Sequence, residues 1–226
     1  MFSRFIDLFR RQYDLSKPAR RGESIGDVME IALEGQWPGD FQRVDNVLWV
    51  SNPTNHIRRL FRLQAMKGMT FSLCWGISVD FVPCLKSKGL GWKRTAKTAR
   101  FDLCIDPIDI SGSIPRWCSF DNNEGDRRIG KVALAAHKAA KADWLQLNTL
   151  KDVADCFENR SKMDFQRFSL DNYVQTDIAW GLILIALGKR EKGEHSLSAF
   201  CEKFEIAPDN VILAKARNQA ISIAAG

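Results

Sequence analysis

Residues Thr70–Val82 read TFSLCWGISVDFV, and their alternation sets the architecture. Phe71, Leu73, Trp75, Ile77, Val79 and Phe81 occupy the odd positions, while Thr70, Ser72, Cys74, Gly76, Ser78 and Asp80 occupy the even ones. Successive side chains of a strand point to opposite faces, so this segment predicts a strand with one large apolar face and one small polar face. The apolar face covers a helical layer. The small face is expected to border a groove, solvent or a second chain.

Working outward, Val44–Val50 and Ile57–Ala65 carry the same β texture, with Asn52-Pro53 and Lys67-Gly68 as turns. Three antiparallel strands in succession are predicted, and Phe101–Ile105 resumes extended structure after Pro83 and a basic segment. Upstream, Phe2, Phe5, Ile6 and Phe9 follow helical spacing, and Ser24 opens a second helix with Ile25, Val28, Ile31 and Ala32 on its inner side. Downstream of Lys131 the pattern is helical to the end: Lys131–Trp144, Thr149–Asn159, Val174–Leu187, Ser196–Phe204 and Pro208–Ile223. Asp177–Leu187 and Ser196–Phe204 read as a helical hairpin joined by Gly188–His195. The expected fold class is therefore α+β, an antiparallel sheet packed by N-terminal helices with an all-helical C-terminal region. The expected division is 1–122 for the sheet domain and 123–226 for the helical region.

With 226 residues, 14 Phe and 7 Trp, the chain has ample material for a core. A net charge of +6 permits an acidic protein or a nucleic acid as partner and demands neither. The six cysteines form no Cys-x-x-Cys pair, which fits buried thiols in a reducing cytoplasm. Met1–Tyr13 does not have the layout of a signal peptide, and the apolar run Ile178–Leu187 is about half a membrane span. A cytoplasmic protein without membrane association is expected.

The most pointed chemical feature is Leu85–Phe101. It holds Lys86, Lys88, Lys93, Arg94, Lys97 and Arg100 without an acid, with Trp92 among them. Crowded like charges at a hairpin tip attract an anionic counterpart, and Arg58, Arg59 and Arg62 add to the basic surface. These ten residues are the candidate binding set. Asp80, Asp102, Asp106 and Asp109 raise the possibility of a metal site, but their spacing is unspecific. Pairing with Lys93, Arg94, Lys97 and Arg100 across the sheet is the plainer expectation, at about 0.2–1 kcal/mol per pair. His56, His137 and His195 lack ligand spacing, and among the cysteines Cys84 alone has an electropositive setting. No nucleophile elbow, phosphate loop or dinucleotide fingerprint is present.

Phe71–Pro83, FSLCWGISVDFVP, followed by Gly91–Pro107, GWKRTAKTARFDLCIDP, resembles the core pattern of an uncharacterised bacterial α+β domain-of-unknown-function family. Some members of that family lie near toxin–immunity or defence genes, so the resemblance implies an accessory or interaction role. It spans about residues 41–107 and brings no catalytic residue with it.

The function expected from these readings is that of a non-catalytic cytoplasmic binding protein, an accessory or immunity/defence-type subunit engaging another protein, with no cofactor and no metal. The alternative is a nucleic-acid-binding protein using residues 86–100 with Arg58, Arg59 and Arg62. A metal-dependent hydrolase on Asp80, Asp102 and Asp106 is the third reading.

Overall fold

The computed structural model describes residues 22–66, 70–86, 89–93, 95–105, 117–119, 126–162 and 176–226. The helix expected over Met1–Tyr13, the basic residues Lys88 and Arg94, and the acids Asp106 and Asp109 lie outside the described residues.

The fold is α+β. Helix α1 spans Gly22–Ala32, followed by strands β1 (Phe41–Asp45), β2 (Leu48–Ser51), β3 (Ile57–Met66) and β4 (Thr70–Val79). Then come β5 (Cys84–Lys86), β6 (Gly89–Gly91), a 3₁₀ turn at Ala96–Thr98, β7 (Leu103–Ile105) and β8 (Trp117–Ser119). Helices α2 (Asp126–Trp144), α3 (Leu150–Ser161), α4 (Thr176–Ala186), α5 (Arg190–Lys203) and α6 (Val211–Ala225) complete the described elements. The antiparallel sheet runs β1-β2-β3-β4-β7, with β8 also pairing β4, and β5-β6 form a separate hairpin.

The expected single strand Val44–Val50 is in fact a hairpin. The Asp45 carboxylate accepts a hydrogen bond from the Val47 N–H at 2.8 Å, an Asx turn that reverses the chain at Asn46. A second correction concerns α1, whose buried stripe is Ile25, Met29 and Leu33, whereas Ile31 is 73% exposed. Both sets have helical spacing, and the i, i+4, i+8 row is the one that meets the core. A third concerns β4. Its small face is covered too: Ser72, Cys74 and Ser78 are buried alongside Leu73, Trp75, Ile77 and Val79.

The chain forms two compact units. One compact unit comprises 1–49, 61–75 and 106–141, the other 50–60, 76–105 and 142–226.

The first unit is organised around aromatic rings. Trp37 stacks on Trp49 at 5.8 Å and meets the ring of His137 edge-on at 4.5 Å, and Phe61 stacks on Trp75 at 6.3 Å. The Trp49 indole donates to Glu30, while Arg43 binds Asp27 at 2.8 Å and the carbonyl of Asn46 at 3.0 Å, tying α1 to the β1–β2 turn.

In the second unit α4 buries Ile178, Ala179 and Gly181–Ala186, with Trp180 half-buried, and packs against α3, α5 and α6. A helix without a polar face needs partners on several sides. Gly188, at φ +75°, ends it, with the Lys189 N–H reaching the Leu184 carbonyl at 2.9 Å. The α4–α5 connection is shorter than the expected Gly188–His195, because α5 already begins at Arg190. Asn210 caps α6 by accepting from the N–H groups of Ile212 and Leu213 at 3.0 and 3.2 Å.

Candidate functional site

The basic segment is partly a hairpin and partly a strap. Cys84 pairs with Gly91, Leu85 with Leu90 and Lys86 with Gly89, so Lys86 stands at the turn end of a two-stranded ribbon. Trp92, Lys93 and residues 95–102 then belong to a strap whose side chains differ in role. Lys93, Ala99 and Asp102 point inward and are buried; Lys97 and Arg100 are exposed; Trp92 is half-buried.

The inward anchors explain the local fold. Lys93 has no solvent exposure, and its ammonium contacts the Asp102 carboxylate, which is equally enclosed. Nζ also donates to Ser78 Oγ at 2.9 Å and to the Val79 carbonyl at 3.2 Å, while Asp102 Oδ2 accepts the Val79 N–H at 2.7 Å. Burial draws the Lys93 pKa below its ordinary value and lifts that of Asp102 above its own, each opposed by the charge of the other. Between the anchors, Thr95 and Thr98 form a reciprocal cap, with Thr98 N–H on Thr95 Oγ1 at 3.3 Å and Thr95 N–H on Thr98 Oγ1 at 3.1 Å. The strap is thus fixed by its own hydrogen bonds.

Lys93 is accordingly removed from the surface set. It is the cation that fills the small face of β4 over Ser78, and its counter-ion comes from this chain. Arg58 is also buried, with its guanidinium on the Ser51 carbonyl at 3.3 Å. Arg59 follows it on the strand, so it points to the opposite face and binds the Asn148 side chain at 2.9 Å. Arg62 is exposed in the first unit. Of the described candidate residues on the second unit, those left outward are Lys86, Lys97 and Arg100. Arg100 donates to the neighbouring Ala99 carbonyl at 2.8 Å, and no described carboxylate lies within ion-pair distance of any of the three.

The acids of the third reading are engaged separately. Asp102 holds Lys93, and Asp80 accepts from His56 Nδ1 at 3.1 Å, with His56 in the left-handed region at φ 68°. Among the described residues no group of three His, Cys, Asp or Glu side chains is placed to hold a metal ion. The His56–Asp80 pair escaped sequence reading because the two residues lie 24 positions apart. Cys84 is buried near Lys93. No described helix is long and apolar enough to cross a membrane.

Comparison with protein-family models, curated proteins and solved structures finds no match to this chain.

Proposed function

We propose that this chain is a non-catalytic binding protein of the cytoplasm, an accessory subunit that engages an acidic surface of another protein through Lys86, Lys97 and Arg100. The observation that carries the reading is the division of labour along one short strap. Its buried cation is neutralised by Asp102 and fixes the backbone, while its outward cations meet no described carboxylate. Exposed charges on a fixed loop act as steering and register elements for a partner of opposite sign. The resemblance of Phe71–Pro83 and Gly91–Pro107 to an uncharacterised bacterial α+β family, some members of which lie near toxin–immunity or defence genes, is what puts an immunity or defence context into this proposal. Nucleic acid is the second reading, favoured by the half-buried Trp92 beside the strap, where a base could stack.

The test is affinity capture with the full chain from nuclease-treated and untreated host extract at stepped salt, beside a variant carrying Lys86→Ala, Lys97→Ala and Arg100→Ala. A stoichiometric protein partner, released as salt rises and lost in the variant, is expected. Capture of nucleic acid alone transfers the reading to the second class, and equal capture by both chains removes the strap from the interface.

A further inference from the structure

We propose that Lys93 and Asp102 become covalently joined, the Lys93 amine condensing with the Asp102 carboxyl to an isopeptide bond that clamps the base of the strap. Both side chains have no exposed area, so an external substrate cannot approach the amine. Within that enclosure the amine meets the Asp102 carboxylate, Ser78 Oγ and the Val79 carbonyl oxygen, and the carboxyl is the group that can condense with it. The carboxylate is held asymmetrically. Oδ2 takes the Val79 N–H at 2.7 Å, whereas Oδ1 is buried with no hydrogen-bond partner among the described residues. A buried carboxylate oxygen left without a donor is costly, and condensation is the reaction that removes it.

The step balances without an added reagent. A proton passes from the Lys93 ammonium to Oδ1 of Asp102, the oxygen without a donor, giving a neutral amine and a neutral acid with its hydroxyl on Oδ1, the forms that burial favours for both. The Nζ lone pair adds to Cγ, and the charge that develops on Oδ2 lies under the Val79 N–H. A proton from the former amine moves to the Oδ1 hydroxyl, the Cγ–Oδ1 bond breaks, and Oδ1 departs as water. The C–N bond is formed, and no atom changes oxidation state overall in a way that calls for an oxidant or reductant. Fixed proximity supplies the drive, since effective molarities for well-oriented partners reach about 10⁵–10⁸ M. The product suits the site better than the ion pair does. The amide oxygen keeps Val79, the amide N–H keeps Ser78 Oγ or the Val79 carbonyl, and neither buried charge remains.

The experiment is the intact mass of the purified full chain, read fully denatured, followed by protease mapping. The wild-type chain is expected to be lighter than its sequence mass by one water, about 18 Da, with a branched peptide joining Lys93 to Asp102. Lys93→Met is expected at its full sequence mass, and because the reading is made on unfolded chain it holds whether or not that variant folds. A folded wild-type preparation at full sequence mass overturns the proposal. So does a water loss that persists in Lys93→Met, which an aspartyl succinimide would give.

Discussion

Trp144 donates its indole N–H to the carbonyl oxygen of Gly76 at 3.1 Å, at the point of β4 where a side chain has no room. A Cβ on Gly76 would overlap the carbonyl oxygen of Leu103 on β7. The glycine is therefore required by close approach of backbone to backbone, and the buried indole lies beside it. Gly76→Ala is expected to destabilise the fold by about 1–3 kcal/mol, the range of overpacking in a closed core. Trp144→Phe removes the donor and leaves ring volume, with an expected cost of about 1–2 kcal/mol. Urea unfolding followed by circular dichroism measures both, and a Gly76→Ala chain as stable as the parent contradicts the close approach.

A similar constraint joins α4 to α5. A Cβ on Gly193 would fall 2.6 Å from the Gly181 carbonyl oxygen and from Ile185 Cγ1, while a Cβ on Gly181 would stand 3.0 Å from the Gly193 carbonyl oxygen. The helices touch through glycine on both sides. Gly193→Ala gains helix propensity of about 1 kcal/mol in isolation, so a net loss of stability would have to come from packing. We expect that net loss, about 1–3 kcal/mol, in thermal or urea unfolding. A stabilised Gly193→Ala chain would show that the hairpin tolerates a wider spacing.

Cations of the same strap should differ sharply in what they do for stability. Asp102→Ala leaves the Lys93 ammonium enclosed with only Ser78 Oγ and the Val79 carbonyl as acceptors, and an uncompensated buried charge costs about 3–5 kcal/mol. Lys97→Ala and Arg100→Ala remove exposed groups and should stay within about 0.5 kcal/mol of the parent. Parallel urea titrations of the three variants decide it. If Asp102→Ala behaves like the two surface changes, Lys93 does not depend on Asp102.

The contrast also shows how far sequence carried. The strand over Thr70–Val79 and the all-apolar helix over Ile178–Ala186 were legible because period and composition report directly on what a segment must bury. The cover over the small face of β4 was not legible. Over Ser78 it is a lysine, and residue type assigns lysine to solvent unless a specific counter-ion is placed beside it. The pairing of Asp102 with Lys93 is legible from charge and chain position; its enclosure is not. The hairpin at Asn46 was hidden by the apolar residues on either side, although Asp45-Asn46 carried a turn signal. For α1, the rows through Ile31 and through Leu33 are equally periodic, and only packing distinguishes them. At the candidate site the outward placement of Lys86, Lys97 and Arg100 followed from charge crowding, whereas the withdrawal of Arg58 followed from strand contacts.

His137 gives the fold a dependence on pH. Its ring is 3% exposed, wedged edge-on against Trp37 and Phe61, and burial together with the positive charge of Lys141 lowers its pKa from 6.5 to about 4. The folded chain thus keeps His137 neutral at a pH where the unfolded chain would protonate it. The contribution to stability is complete above about pH 6.5 and is lost progressively as pH falls from there to about 4. Its upper size is about 3 kcal/mol, the shift converted at 1.36 kcal/mol per pKa unit. Urea midpoints between pH 7.5 and 4 should fall along that window, and His137→Phe should flatten this part of the profile. A parent chain whose midpoint declines only below pH 4, or a His137→Phe chain with an unchanged decline, would assign the acid sensitivity to carboxylates instead.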